Sequence, residues 1–225
     1  MNRIFQIVDS FFPSGSYAHS HGLESLVELG LIRDERDLIA LLKNMLQTVF
    51  QQQELPACYF AHSLAGRCDR DGLFRLDAKV HALKLAQEAR QASLQTGKAR
   101  WNVLVSLIPD HPFLLECSRA MKKEEWQGHH CVVFGVQNAC MGILPEDGAS
   151  ALAYHALSAM VSAGMRLLRF GQDSAQHIIY DIAKDIPGIV QLAHKISLEE
   201  LGVSCPTLDI ASMIHRRASR RLFLS

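Results

Sequence analysis

Tyr17, His21, Glu24 and Glu28 recur at i, i+4, i+7 and i+11, the spacing that puts side chains on one face of a helix. A phenol, an imidazole and two carboxylates on one face offer hydrogen bonding, acid–base exchange or metal ligation; a plain solvated helix face has the same look. Just upstream, Phe11-Phe12-Pro13-Ser14-Gly15-Ser16 reads as a tight bend, with proline fixing φ and glycine supplying an unusual one. Ser14 or Ser16 is placed to cap the helix that follows, and Leu23, Leu26 and Leu29 take its other side.

Eleven histidines are scattered from His19 to His215. His129 and His130 precede Cys131, but neighbours on a helix point about 100° apart, so the three cannot chelate as a unit. A site built from His21, Glu24 and one of His129 or His130 would need the fold to gather them, and it defines the alternative reading, a small helical metalloenzyme. No Gly-x-Ser-x-Gly elbow, His-Glu-x-x-His pair or dinucleotide fingerprint occurs. Gly97-Lys98 has Ala92 where a P-loop needs glycine and Ala99 where it needs Ser or Thr, so the chain has no phosphate cradle of that type.

The elements that must position these residues are helical. Arg33 to Phe50 carries Leu38, Leu41, Leu42, Met45, Leu46 and Val49 at helical spacing, with Asp34 and Glu35 in the first turn. Further helices are expected over about 54–64, with Pro56 in the first turn, and over about 73–96. Gly66 to Gly72 reads as a loop. Ala82, Ala86, Ala89, Ser93 and Gly97 form a small-residue stripe for close packing, and Gly97 is placed to end its helix. Pro112 opens a helix to about Trp126. Gly128, Gly135 and Gly142, seven apart, favour a buried helix over a strand at 131–136. Glu146 to Phe170 is a long helix, and the isoleucines 178, 179, 182 and 186 continue a further one until Pro187 breaks or kinks it.

Composition sets outer limits. In 225 residues, 48% are hydrophobic and 20% charged, with 23 basic against 23 acidic side chains. That balance suits a globular chain with a sizeable core and argues against a dedicated nucleic-acid binder. No apolar run reaches the ~20 residues needed to span a bilayer. The N-terminus lacks a signal-peptide pattern, so a cytoplasmic protein is expected. The six cysteines form no Cys-x-x-Cys pair and are expected to be reduced. No repeat or linker divides the chain. The expected fold is all-α, one compact domain of about ten helices over 1–225, ending in a tail at about 215–225.

Five stretches resemble the urease accessory protein UreF family, in that family's order and over essentially the whole chain. They are FPSGSYAHSHGLE; EARQASLQTGK with Arg90, Ser93 and Gly97; the histidine-containing element before Val132-Val133; RLLRFGQDSAQ with Arg166, Leu167, Gly171, Gln172 and Gln176; and PTLDIASMIHRRASRRLFLS. Arg169 and Ala175 stand where the family commonly has proline and glycine, and Arg216 where it has an acidic residue. The resemblance implies an all-helical homodimer without catalysis or cofactor of its own. Such a protein would bind the accessory protein UreD (UreH in some systems) and recruit or regulate the GTPase UreG, which delivers nickel to apo-urease. It makes Tyr17 and Glu24, read as exposed beside the bend, candidates for a GTPase-facing surface, with Arg166 and Gln172 either shaping the same surface or simply packing. His215, Arg220, Arg221, Leu222, Phe223 and Ser225 become candidates for docking UreD, with the apolar end of the tail needing a partner to cover it.

Overall fold

The Asp34 carboxylate accepts from the amides of Arg36 and Asp37 at 2.9 and 3.0 Å, so the first long helix has a firm start. That helix is one of twelve α-helical segments in the computed structural model, which describes residues 2–203, 205–215 and 222–224. In chain order they are α1 (Asn2–Val8), α2 (Leu23–Glu28), α3 (Glu35–Met45), α4 (Leu55–Gly66), α5 (Arg70–Leu83) and α6 (Gln87–Leu107). They continue as α7 (Pro112–Lys122), α8 (His130–Cys140), α9 (Pro145–Leu168), α10 (Gln172–Ala183), α11 (Ile186–Ala193) and α12 (Pro206–His215). There is no strand among the described residues. The all-α expectation holds, with somewhat more helices than the ten expected.

Helix α8 is the axis of the core. Every residue from Cys131 to Asn138 is buried, and α4, α5, α6 and α9 pack around it. Gly135 is why α4 comes so near: a Cβ there would overlap the Cys58 carbonyl oxygen, with the Ala61 methyl 2.8 Å away. The segment 131–136 is a buried helix, as expected, but the glycines do not line one face: Gly128 and Gly142 take left-handed φ values of 77° and 66° in the turns on either side, and only Gly135 lies on α8.

Three helix boundaries depart from the sequence reading. Helix α3 does not stop before α4; Leu46–Glu54 joins them as a π-helix. Pro56 has no N–H for the Gln52 carbonyl four residues back, and that carbonyl accepts from the Gly202 amide at 3.0 Å instead. The expected 73–96 helix begins at Arg70 and breaks after Leu83, and α6 runs straight through Gly97 to Leu107. Gly97 does not end a helix. Its bare Cα lies against the Gly128 carbonyl, so it serves helix approach rather than termination.

The third departure bears on function. Tyr17 and Glu28 do not share a helix. Ser16–Ala18 is a single 3₁₀ turn, His21 and Gly22 take left-handed φ values of 52° and 85°, and α2 begins only at Leu23. Glycine at 22 also leaves room for α12, because a Cβ there would meet Ser212 Oγ at 3.1 Å and the Ala211 methyl at 3.3 Å. Leu23 and Leu26 are buried as expected, but Leu29 is exposed.

Candidate functional site

Ser14 and Ser16 do not cap a helix. Ser16 Oγ lies 2.9 Å from His155 Nε2 on α9 and 2.9 Å from Ser14 Oγ, and all three side chains are buried. Burial pushes the His155 imidazole down to about 4, with the Arg100 charge acting the same way, so the ring is neutral at pH 7 and can pair with hydroxyls in either direction. This anchor holds the bend against α9 and leaves Tyr17 half-buried, edge-on to the His155 ring. Burial, followed by the nearby Tyr154 and Asp9, raises the Tyr17 phenol.

The bend is held from below by Arg100 on α6, which is completely buried. Its guanidinium lies between the rings of Phe12 and Phe134, 4.4 and 4.3 Å from their centres. It donates to Gln137 Oε1 at 2.6 Å and to the Ile7 carbonyl, in the last turn of α1, at 3.2 Å. Nothing in the sequence marks Arg100 as a buried cation.

Glu24 corrects the expectation of an exposed surface residue, because only 4% of it is accessible. Its position two residues after Gly22 turns the carboxylate inward toward α12. Oε2 accepts from His215 Nε2 at 2.8 Å and from the Phe223 amide at 3.2 Å, and Oε1 accepts from the Leu222 amide at 2.7 Å. The other ring nitrogen of His215, Nδ1, lies 2.9 Å from Oε2 of Glu88 on α6. The ring is thus gripped between two carboxyl groups, one at each nitrogen.

The tail is thus bound by its own chain. The Phe223 ring is buried under the Arg166 guanidinium, 4.4 Å from its centre, while Arg166 Nη2 donates to the Tyr17 carbonyl at 2.9 Å. The Leu224 amide donates to the Ala18 carbonyl at 2.9 Å. Tyr17, Ala18, Arg166 and residues 222–224 line one surface depression. Six residues expected in two separate surfaces, Tyr17, Glu24 and Arg166 in one and His215, Leu222 and Phe223 in the other, form one cluster. Phe223 needs no outside partner to cover it, but Leu222 and Leu224 are 73% and 65% exposed.

Gln172 is exposed at the first residue of α10, beyond the left-handed turn at Arg169, and makes none of these contacts. Arg220, Arg221 and Ser225 lie outside the described residues, as do Arg216 and Arg217.

The set needed for a metalloenzyme is not assembled. Glu24 is committed to His215 and the tail. His129 bonds to Ser93 Oγ and to His81 Nδ1, both at 3.1 Å, and burial pushes it down to about 3. His21 and His130 border a chamber of about 150 Å³ between α6, α9 and the π-helix, together with the buried Glu54–Lys84 ion pair. Among the described residues no three His, Cys, Asp or Glu side chains are grouped to hold a metal ion. No helix there is long and apolar enough to cross a membrane.

The architecture and the cluster define an all-helical protein whose distinctive surface is a self-held tail presenting two exposed leucines beside an arginine and a tyrosine. Comparison with known proteins then places the chain. The UreF family model matches residues 32–183, and the chain belongs to the UreF family. It is 31% identical to the urease accessory protein UreF of Bacillus sp. (strain TB-90), over the whole of both chains. It is 28% identical to the proteins of that name from Yersinia enterocolitica serotype O:8 and Yersinia pestis (strain Pestoides F), over 98% of this chain and 96% of theirs.

Proposed function

We propose that this protein is a urease accessory protein that performs no chemistry itself and acts as a docking scaffold. In this reading it binds UreD through its C-terminal segment and holds the GTPase UreG near Tyr17 and Arg166, so that nickel is delivered to apo-urease within the assembly. It would do so in the cytoplasm, as a homodimer. The nucleotide chemistry belongs to the partner, since this chain has Ala92 and Ala99 where a P-loop needs Gly and Ser or Thr. Its contribution is differential binding, favouring one state of the GTPase over another.

The observation that carries the reading is the merging of the two candidate surfaces. Leu222 and Leu224 project outward from a segment whose backbone is fixed to Glu24 and Ala18, and Arg166 touches both the tail ring and the Tyr17 carbonyl. One partner on the tail and another on the turn would be neighbours, coupled through shared side chains.

The test is the double variant Leu222→Asp with Leu224→Asp. Both side chains are exposed, so the fold should keep its stability within about 0.5 kcal/mol. UreD capture in a pull-down should fall at least tenfold, because a carboxylate would be buried in an apolar contact at each site. Undiminished capture would remove the tail from the docking role.

A further inference from the structure

We propose that the chamber between the π-helix, α6, α9 and α12 binds a small uncharged molecule, with an apolar body about the size of a benzene ring and one group that both donates and accepts a hydrogen bond. Binding here is independent of the docking role proposed above.

The size follows from the space itself. At about 150 Å³ the chamber matches a cavity that takes up benzene when its walls are wholly apolar. Much of this wall is of that kind, since Met45, Phe50, Leu152, Met160 and Leu208 line it and are buried. The rest is polar. Gln53, Thr96 and Ser212 also line it, one each from the π-helix, α6 and α12, and they are only 4, 5 and 5% exposed. None of these three side chains has a hydrogen-bonding partner among the described residues. Buried amides and hydroxyls are nearly always paired, so three unpaired ones on one cavity point to a molecule that pairs them. An amide and two hydroxyls each donate and accept, which suits a hydroxyl or carboxamide on the ligand. A π-helix of nine residues is rare, such turns concentrate at functional sites, and this one supplies Phe50, Gln53 and Glu54 to the wall.

Charge on the wall selects a neutral ligand. Glu54 and Lys84 offset each other as an ion pair, and burial holds the imidazoles of His21 and His155 at about 4, uncharged at pH 7. Asp209 adds a carboxyl that burial raises. An anion would find no free cation among the lining residues, and a cation would leave water for a single carboxyl beside an apolar wall.

Phenol is the probe, with benzene and benzoate as its apolar and charged counterparts. In the full-length chain labelled at the methionine methyl carbons, phenol should shift Met45 and Met160 saturably, with a Kd on the order of 1 mM or below. Met121, packed against Gly128, should not move. Benzene should bind at least about threefold more weakly, for want of the hydroxyl, and benzoate should not bind. Gln53→Met and Thr96→Val keep the volume and each remove one polar group. Both should weaken phenol about threefold or more with an equal or higher melting temperature, because the lost group has no partner in the protein. No phenol shift at about ten times the expected Kd would overturn the site and leave water as its occupant, and shifts spread over all methionines would overturn it equally. Benzene or benzoate binding as well as phenol, or unchanged phenol affinity in both folded variants, would overturn the ligand class.

Discussion

Replacing Gly97 by alanine is expected to lower the melting temperature by roughly 4–8 °C. An alanine normally gains about 1 kcal/mol over glycine inside a helix, so propensity alone predicts the opposite sign. Here the added methyl would overlap the Gly128 carbonyl oxygen and lie 3.0 Å from both the His129 carbonyl carbon and the His130 nitrogen. These are main-chain atoms at the entrance to α8, held by the amides of Gln127, Gly128 and His129, which donate to the buried Asp77 carboxylate at 2.8–3.0 Å. They cannot rotate aside as a side-chain end would, so α6 and α8 must separate. The overpacking cost, about 3 kcal/mol, exceeds the propensity gain. Gly188 in α11 is the control: nothing lies within 4 Å of a Cβ there, and Gly188→Ala should be neutral or slightly stabilising. Thermal unfolding followed by circular dichroism reads both. Equal melting temperatures for the two variants would show that α6 and α8 are not in contact at Gly97.

Acid should unfold the protein well before its carboxylates are all protonated. His155 and His129 are buried and neutral, pushed to about 4 and about 3 from an ordinary value of 6.5, and His21 lies at about 4, each chiefly through burial. The unfolded chain takes up protons on these rings once the pH falls below about 6.5, whereas the folded chain does not until near 4. Stability is therefore fully present above about 6.5 and is lost progressively between 6.5 and 4. At about 1.4 kcal/mol per pKa unit, His155 and His129 together remove on the order of 5 kcal/mol by pH 4, comparable with the whole stability of many domains. Urea midpoints measured between pH 7.5 and 4.5 should fall steeply, and less steeply in His155→Gln, which keeps a polar partner for Ser16. A midpoint that stays flat over that range would mean that these rings are hydrated.

Much of this molecule is legible in the sequence. Helical spacing finds α3, α9 and α10, and the prolines 56 and 112 mark first turns, whereas Ile186, read as part of the helix before Pro187, opens α11 instead. What local pattern misses is local conformation that distant residues impose. The helix read through Tyr17, His21 and Glu24 ignores Gly22, whose left-handed φ and missing Cβ admit α12 from nearly two hundred residues away. With that break, Glu24 turns from a surface residue into a buried acceptor. Its partners, His215 and the amides of 222 and 223, were visible only as a histidine and a sticky tail. Glu88 opens the stretch EARQASLQTGK, but a lone glutamate in a helix normally faces water, so its burial is not legible there. The motifs carrying the family resemblance include Phe12–Glu24 and the stretch from Pro206 onward, without revealing that the two meet.

Co-expression of the chain with its cognate UreD and UreG, with pull-down on UreD, tests the scaffold role most directly. The full-length chain should bring down both partners, and removal of Leu222 to Ser225 should abolish capture of UreD. Retention of UreD by the truncated chain would contradict the placement of docking in this tail. Failure of the intact chain to hold either partner would contradict the scaffold role itself.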